Sequence, residues 1–331
     1  MRIGLAGVGR IGAYHAETLA ALDDVQTLIV ADADATRARA VAQKVGAQTA
    51  AGIDELLHSD LDGLVIAAAT DAHAPLLTRA IDAGIPAFCE KPVASDIEGT
   101  LAVLERAGDA PVQVGFQRRF DTGYRTARQA LTDGQLGWVH TVRATTLDPA
   151  PPPAAYIAKS GGMFRDCSVH DFDVIRWVTG REIVEVYATG SNRGADFFAA
   201  AGDVDTLAAV LTLDDDSLAT VSATRYNGAG YDVRLELLGS QDSVAVGLND
   251  RLPLRSAEPG IERPTGVAYP NFMERFAPAY VAELTAFTDL VRTGGPSPCS
   301  VADALEAFYV AEACERSRRE RRPVPLAEVR H

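Results

Sequence analysis

Short apolar runs punctuate the first third of the chain, at MRIGLA, VQTLIVAD, DGLVIAAAT, PAFCE and PVQVGF. Between them lie stretches whose apolar positions recur at helical spacing: AYHAETLAAL, the Ala-rich segment from Thr36 to Val45, HAPLLTRAIDAG closed by Gly84, and DIEGTLAVLERAG. Strands that alternate with helices at this spacing require right-handed βαβ crossovers and a parallel sheet. The pattern predicts a doubly wound α/β nucleotide-binding domain over residues 1–118.

After Gly115 the rhythm changes. FQRRFDTGYRTARQALTDGQLG reads as a linking helix stopped at Gly134, and WVHTVRATTL as a strand with period-two alternation. The proline-rich loop DPAPPPAAY and a further helix precede the strands EIVEVYATGS, DTLAAVLTL, LATVSATRY, DVRLELLGS and DSVAVGL, and two terminal helices follow. Residues 119–331 are therefore expected to form an α+β domain on a largely antiparallel open sheet. One face of such a sheet has too few helices to cover it, which predicts a homo-oligomer.

Composition narrows the functional classes. A chain of 331 residues, 47% hydrophobic and 23% charged, buries a substantial core and suits two domains. A formal net charge of −14 argues against a nucleic-acid surface, and the dense basic run from Arg316 to Arg322 reads as a solvated helix end. No apolar run approaches the roughly 20 residues that span a bilayer, and MRIGLAGVG lacks the parts of a signal peptide. A cytoplasmic protein is expected, with no membrane partner. Cys89, Cys167, Cys299 and Cys314 are scattered without a CxxC pair, so neither a disulfide framework nor a zinc site is indicated.

The candidate chemistry begins at GVGRIG, residues Gly7, Gly9, Arg10, Ile11 and Gly12, placed at a strand-to-helix turn. The first glycine permits the turn, the second admits a pyrophosphate to the backbone, and the third lets helix and strand pack closely. Asp32 ends the next strand, where a carboxylate accepts from ribose hydroxyls and repels a 2′-phosphate, so NAD is expected over NADP. Arg37 and Arg39 lie nearby and could soften that choice. Thr70, His73, Glu90 and Lys91 fall at the carboxyl ends of later strands and are expected to face the cofactor. A second constellation lies in RDCSVHDFDVIRW. Asp166 and His170 stand at i, i+4 and Asp173 three residues on, which puts all three on one face of an ideal helix, while Val169, Phe172, Ile175 and Val178 form a core-facing stripe. On spacing alone Asp166 and His170 read more readily as a surface pair than as a catalytic one, and one histidine makes no metal site.

The glycine turn, CEKP, VGFQRRF and Asp-x-x-x-His, in this order over nearly the whole chain, resemble the Gfo/Idh/MocA oxidoreductases, and within them the inositol 2-dehydrogenases. CEKP with VQVGFQRRFDTGY and GYDVRLELLG is more specific than the glycines alone. The resemblance implies a catalytic triad of Lys91, Asp166 and His170, contacts from Asp173 and Tyr231 to a polyol ring with Arg118 and Asp148 as further donors or acceptors, and a homotetramer. It implies hydride transfer between NAD and a secondary alcohol of a cyclic polyol or sugar. One departure is visible: Thr146, Leu147, Asp148 and Pro149 stand where inositol dehydrogenases often carry a histidine, which leaves the inositol isomer or sugar open. Relatives of this fold also include redox-silent NAD-dependent sensors or regulators, and NAD-dependent glycosidases.

Overall fold

The computed structural model describes residues 1–262 and 264–330. Two compact units emerge, one of Met1–Gln117 with Pro278–Leu305, the other of Arg118–Ala277 with the segment from Glu306 onward.

The first unit is built on six parallel strands, β1 (Arg2–Ala6), β2 (Thr27–Ala31), β3 (Gln48–Thr49), β4 (Gly63–Ile66), β5 (Ala87–Glu90) and β6 (Val112–Gly115), in the order β3-β2-β1-β4-β5-β6. Five of these match the apolar runs. The sixth, β3, is two exposed residues long and leaves no hydrophobic signature. The strand order reverses beside β1, and the crevice past the carboxyl ends of β1 and β4 is where this architecture binds ligands.

Ile3, Leu5, Val30, Val65 and Phe88 are fully buried and share their core with Leu284, Phe287 and Leu290 of the helix Ala277–Thr293. Two hydrogen bonds tie the same late segment in: Gln113 Nε2 donates to the Glu283 carbonyl at 3.0 Å, and the Val114 N–H to the Cys299 carbonyl at 2.8 Å. The expected second domain over 119–331 is therefore corrected, because Pro278–Leu305 pack with the first unit. Helical periodicity in AYVAELTAFTDLVRTG shows that one face is buried; it carries no information about which sheet buries it.

The second unit holds a seven-stranded sheet of β7 (Val139–Leu147), β8 (Ile183–Ser191), β9 (Thr206–Leu213), β10 (Leu218–Thr224), β11 (Asp232–Gly239), β12 (Ser243–Val246) and β13 (Val324–Pro325). The order is β12-β11-β7-β10-β9-β8-β13, with β7 and β10 parallel and the other neighbours antiparallel. Register places Ala188, Ala209, Val221, Ala144, Leu235 and Val246 in one row across the sheet, all buried. The adjacent row, Tyr187, Val210, Thr220, Arg143 and Glu236, points to the opposite face. A one-residue slip would exchange the two rows, and fully burying a Val or Leu side chain is worth about 1.5–3 kcal/mol, so the register is strongly specified.

Asp121 caps the linking helix Thr122–Thr132 by accepting the Gly123 N–H at 2.9 Å, and Gly134 follows in the left-handed region, as the sequence suggested. All four cysteines are free and buried. No helix among the described residues is long and apolar enough to cross a membrane.

Candidate active site

In the first unit the glycine turn has the shape that its spacing implies. Gly7 sits at φ +91°, and a Cβ there would lie 2.4 Å from the Ala68 Cα; a Cβ on Gly12 would lie 2.0 Å from the Gly7 carbonyl oxygen. Both positions exclude a side chain. A Cβ on Gly9 would meet nothing within 4 Å, so the space over this backbone is open at the start of the helix Arg10–Ala20, which no side chain caps. An open backbone cradle at a helix N-terminus fits a pyrophosphate. Asp32 lies beside it, accepting the Val8 N–H at 2.8 Å and the Asp34 N–H at 2.8 Å, with Arg37 Nη1 3.8 Å away. The residue that sequence reasoning assigned to the ribose thus also holds the glycine turn in place.

The segment after β5 is anchored on both sides of Lys91. Ala87, Phe88 and Cys89 are fully buried. Glu90 then meets His15, whose Nε2 lies 2.7 Å from Glu90 Oε1. His15 is itself fully buried against the rings of Phe88 and Tyr280. Past a cis Lys91–Pro92 peptide bond, the Pro92 carbonyl is 2.7 Å from His73 Nδ1. Lys91 is left partly exposed on a fixed backbone. Thr70 is the first residue of the helix Thr70–Asp82.

His73, expected from the sequence at the cofactor side, is held between two loops. Its ring is 2% exposed and both nitrogens lie against backbone carbonyls, of Pro92 and, at 3.1 Å, of Ala68. These two contacts brace the ends of β4 and β5 against each other. His15 was missed altogether, since a histidine inside an otherwise ordinary amphipathic helix carries no local signal.

In the second unit Asp166 lies in a π-turn, Phe164–Ser168, that runs directly into the helix Val169–Thr179. Such turns widen the helix and shift the angular phase of the residues beyond them. Asp166 and His170 are partly exposed, whereas Asp173 is fully buried within a stretch, Asp171 to Arg176, that is buried on every side. The stripe of Val169, Phe172, Ile175 and Val178 is buried as expected.

Asp166 is the centre of a hydrogen-bonded chain. Its Oδ1 accepts from the Tyr156 hydroxyl and its Oδ2 from Arg225 Nη2, at 2.7 and 2.6 Å. Arg225 Nη1 donates to Asp148 Oδ2 at 2.6 Å. Burial pushes the Asp148 carboxyl above its usual range, against the pull of Arg225. Neither Tyr156 nor Arg225 was anticipated. Arg225 had a readable signal: Ala219, Val221 and Ala223 alternate inward along β10, and Arg225 continues that phase one residue past the strand.

Arg118 and Asp173, read in the sequence as substrate contacts, each have a buried ionic partner. Arg118 is 2% exposed, pairs with Asp171 and donates to Thr146 Oγ1 at 3.0 Å, while Thr146 Oγ1 donates to Asp171 Oδ1 at 2.8 Å. Asp173 accepts from Arg119 Nε at 2.9 Å and Nη2 at 2.6 Å, with both side chains buried. Burial works against the Arg118 charge, but Asp171 with the Tyr124 and Tyr231 phenols outweighs it and raises the guanidinium pKa. Burial also pushes the Tyr124 phenol up to about 12 and raises that of Tyr231 well above its ordinary value. Tyr231 donates its backbone N–H to the Tyr269 carbonyl at 2.9 Å and keeps a buried ring.

Known proteins are similar to this chain over nearly its whole length. Residues 1–117 match the oxidoreductase family with an NAD-binding Rossmann fold, and residues 124–245 the GFO/IDH/MocA C-terminal domain. A myo-inositol dehydrogenase of Streptomyces leeuwenhoekii is 38% identical, covering 96% of this chain and 97% of its own. A myo-inositol 2-dehydrogenase of Thermotoga maritima is 35% identical, covering 99% of both. The crystal structure of scyllo-inositol dehydrogenase from Lactobacillus casei, with bound NAD(H) and scyllo-inositol, superposes with a TM-score of 0.89 at 30% identity, covering 99% of each chain. The open glycine turn with its aspartate, the anchored lysine and these full-length similarities lead to one assignment: the chain belongs to the GFO/IDH/MocA family of NAD-binding oxidoreductases.

Proposed function

We propose that this protein is an inositol 2-dehydrogenase-like enzyme that oxidises a secondary hydroxyl of a cyclic polyol, an inositol before other sugars, with NAD. The observation that carries the reading is the Asp166 carboxylate, partly exposed, held from two sides by Tyr156 and Arg225, and four residues before His170. The named activities of the full-length relatives support the same substrate class. In this reading His170 takes the hydroxyl proton, since an imidazole ordinarily titrates near about 6.5, and such transfer is typically worth about 10² to 10⁴ in rate. Asp166 orients the imidazole and stabilises its charged form. Lys91 donates to the same oxygen as negative charge develops. The hydride chemistry is supplied by the nicotinamide when it is bound. Gly7, Gly9, Arg10, Ile11, Gly12, Asp32, Thr70 and Glu90 serve the cofactor side, and Asp148 and Tyr231 the polyol.

NADH absorbance recorded across inositol isomers and aldopyranoses tests the proposal, with turnover of at least one inositol expected. NAD binding without turnover on any of them would move the chain to the sensor class. Cleavage of a glycoside without net NADH would move it to the glycosidase class.

Asp32→Ala should raise the KM for NAD and narrow the preference for NAD over NADP. The change removes a repulsive carboxylate and also the acceptor of the Val8 N–H. A hydrogen bond to a charged group contributes about 1.5–3 kcal/mol, so on the order of a tenfold to hundredfold loss toward NAD is expected. Paired kinetics with both cofactors measure it, and an unchanged preference would sink the assignment.

The oligomeric state and location belong to the same proposal. Tyr187, Val210 and Leu218, each 46% exposed, lie on three adjacent strands of the outer sheet face. Exposed apolar side chains on neighbouring strands of one sheet face favour burial against another copy, and we infer a homotetramer. Light scattering at micromolar concentration should give four chain masses; a monomer would refute it. Four free buried thiols suit a reducing cytoplasm.

A further inference from the structure

Arg225 has no part in the chemistry proposed above, yet its buried guanidinium joins two carboxylates of the second unit. Its side chain is 7% exposed, and its two terminal nitrogens each donate at 2.6 Å, one to Asp148 and the other to Asp166. Its Nε is buried with no hydrogen-bond partner among the described residues, so the two carboxylates set the orientation of the fork. The ionisable groups acting on it are Asp148 at the end of β7, Asp166 and the Cys167 thiol in the π-turn, and Asp203 ahead of β9. Tyr156 faces Asp166 from the helix Ala154–Ile157, and Arg118 acts on Asp148. Burial pushes the Cys167 thiol up, which keeps it neutral near neutral pH. One guanidinium is thereby shared between two carboxylates.

We propose that Arg225 is a positioning residue for the dehydrogenase reaction: by bridging Asp148 and Asp166 it fixes the Asp166 carboxylate and limits the negative charge that Asp166 presents to His170. This rests on the proton-transfer role proposed for Asp166 and His170. The signs come from Coulomb's law. Less compensation of Asp166 favours the imidazolium, so the base works only at higher pH; more compensation does the reverse. Asp148 competes for Arg225, and removing its charge leaves the whole guanidinium to Asp166.

The test is the pH dependence of kcat/KM for the full-length, NAD-saturated enzyme with its best polyol. Arg225→Met should lower kcat on the order of a hundredfold, through loss of alignment, and move the acidic limb upward by roughly one pH unit. Asp148→Asn should move the limb downward. Arg225→Lys should return the limb toward its original position without restoring kcat, because an ammonium lacks the planar fork that reaches both carboxylates. A merely structural ion pair would lower stability and leave the limb in place for every variant, which would overturn the proposal. Should Arg225→Met fail to fold, Asp148→Asn decides alone: a downward move supports the role, and an unmoved or raised limb refutes it. His170→Ala separates the two levels. If the limb survives that change, the proton-transfer reading fails and this inference falls with it; if the limb is lost there but ignores Arg225 and Asp148, only the positioning role fails.

Discussion

Lys91→Ala should lower kcat by about a hundred- to a thousandfold, or about 2.7 to 4 kcal/mol, while NAD binding stays nearly intact. The size comes from how the lysine is mounted. A donor stabilises developing charge effectively only when it needs no reorganisation at the moment of reaction. Here a buried strand delivers Lys91, His15 holds the preceding Glu90, and His73 contacts the carbonyl of the following Pro92. The effect falls on kcat because the interaction strengthens as the alkoxide forms. Lys91→Arg should not rescue turnover, since a wider planar head displaces the reacting carbon. His170→Ala should give a similar fall and also remove the acidic limb of the pH profile, which Lys91→Ala leaves in place. Steady-state kinetics on folded, NAD-saturated variants measure all three. Turnover by Lys91→Ala within a few-fold of the parent would reduce Lys91 to a solvated charge.

Five of the six parallel strands, the glycine turn and Asp32 could be read from the residues because each is local: an apolar run, a spacing of glycines, a carboxylate at a strand end. The tertiary placement of side chains was much less legible. Thr146 departs from the family pattern in sequence, but in the fold it spends its hydroxyl on Arg118 and Asp171. Arg118 and Arg119 stand side by side in FQRRF and look alike; one pairs with Asp171 and the other with Asp173, both buried. The π-turn was invisible because a helix with one wider turn has the same hydrophobic periodicity on either side. It bears on Asp-x-x-x-His-x-x-Asp, since the phase between the first and last residue cannot be counted at 3.6 residues per turn across it.

That last residue gives the largest expected effect on stability. Asp173→Ala should destabilise the protein by about 3–5 kcal/mol and lower the thermal midpoint of the second unit on the order of 10 °C. The Asp173 side chain is fully buried, and the Arg119 side chain that grips it from two nitrogens is only 5% exposed. Truncation removes that carboxylate from a guanidinium that water reaches poorly, and the desolvation cost of the charge is then less fully offset. Asp173→Asn keeps one acceptor and should cost less. Replacing both partners, Arg119→Met with Asp173→Leu, should recover much of the loss, because the cost comes from an uncompensated charge and not from missing volume. Assayed at low temperature, where Asp173→Ala is still folded, the KM for the best polyol should stay within a few-fold of the parent. Thermal melts and kinetics on the same preparations decide the point: a parent-like midpoint together with a KM raised more than about tenfold would give Asp173 the substrate contact that the family resemblance implies.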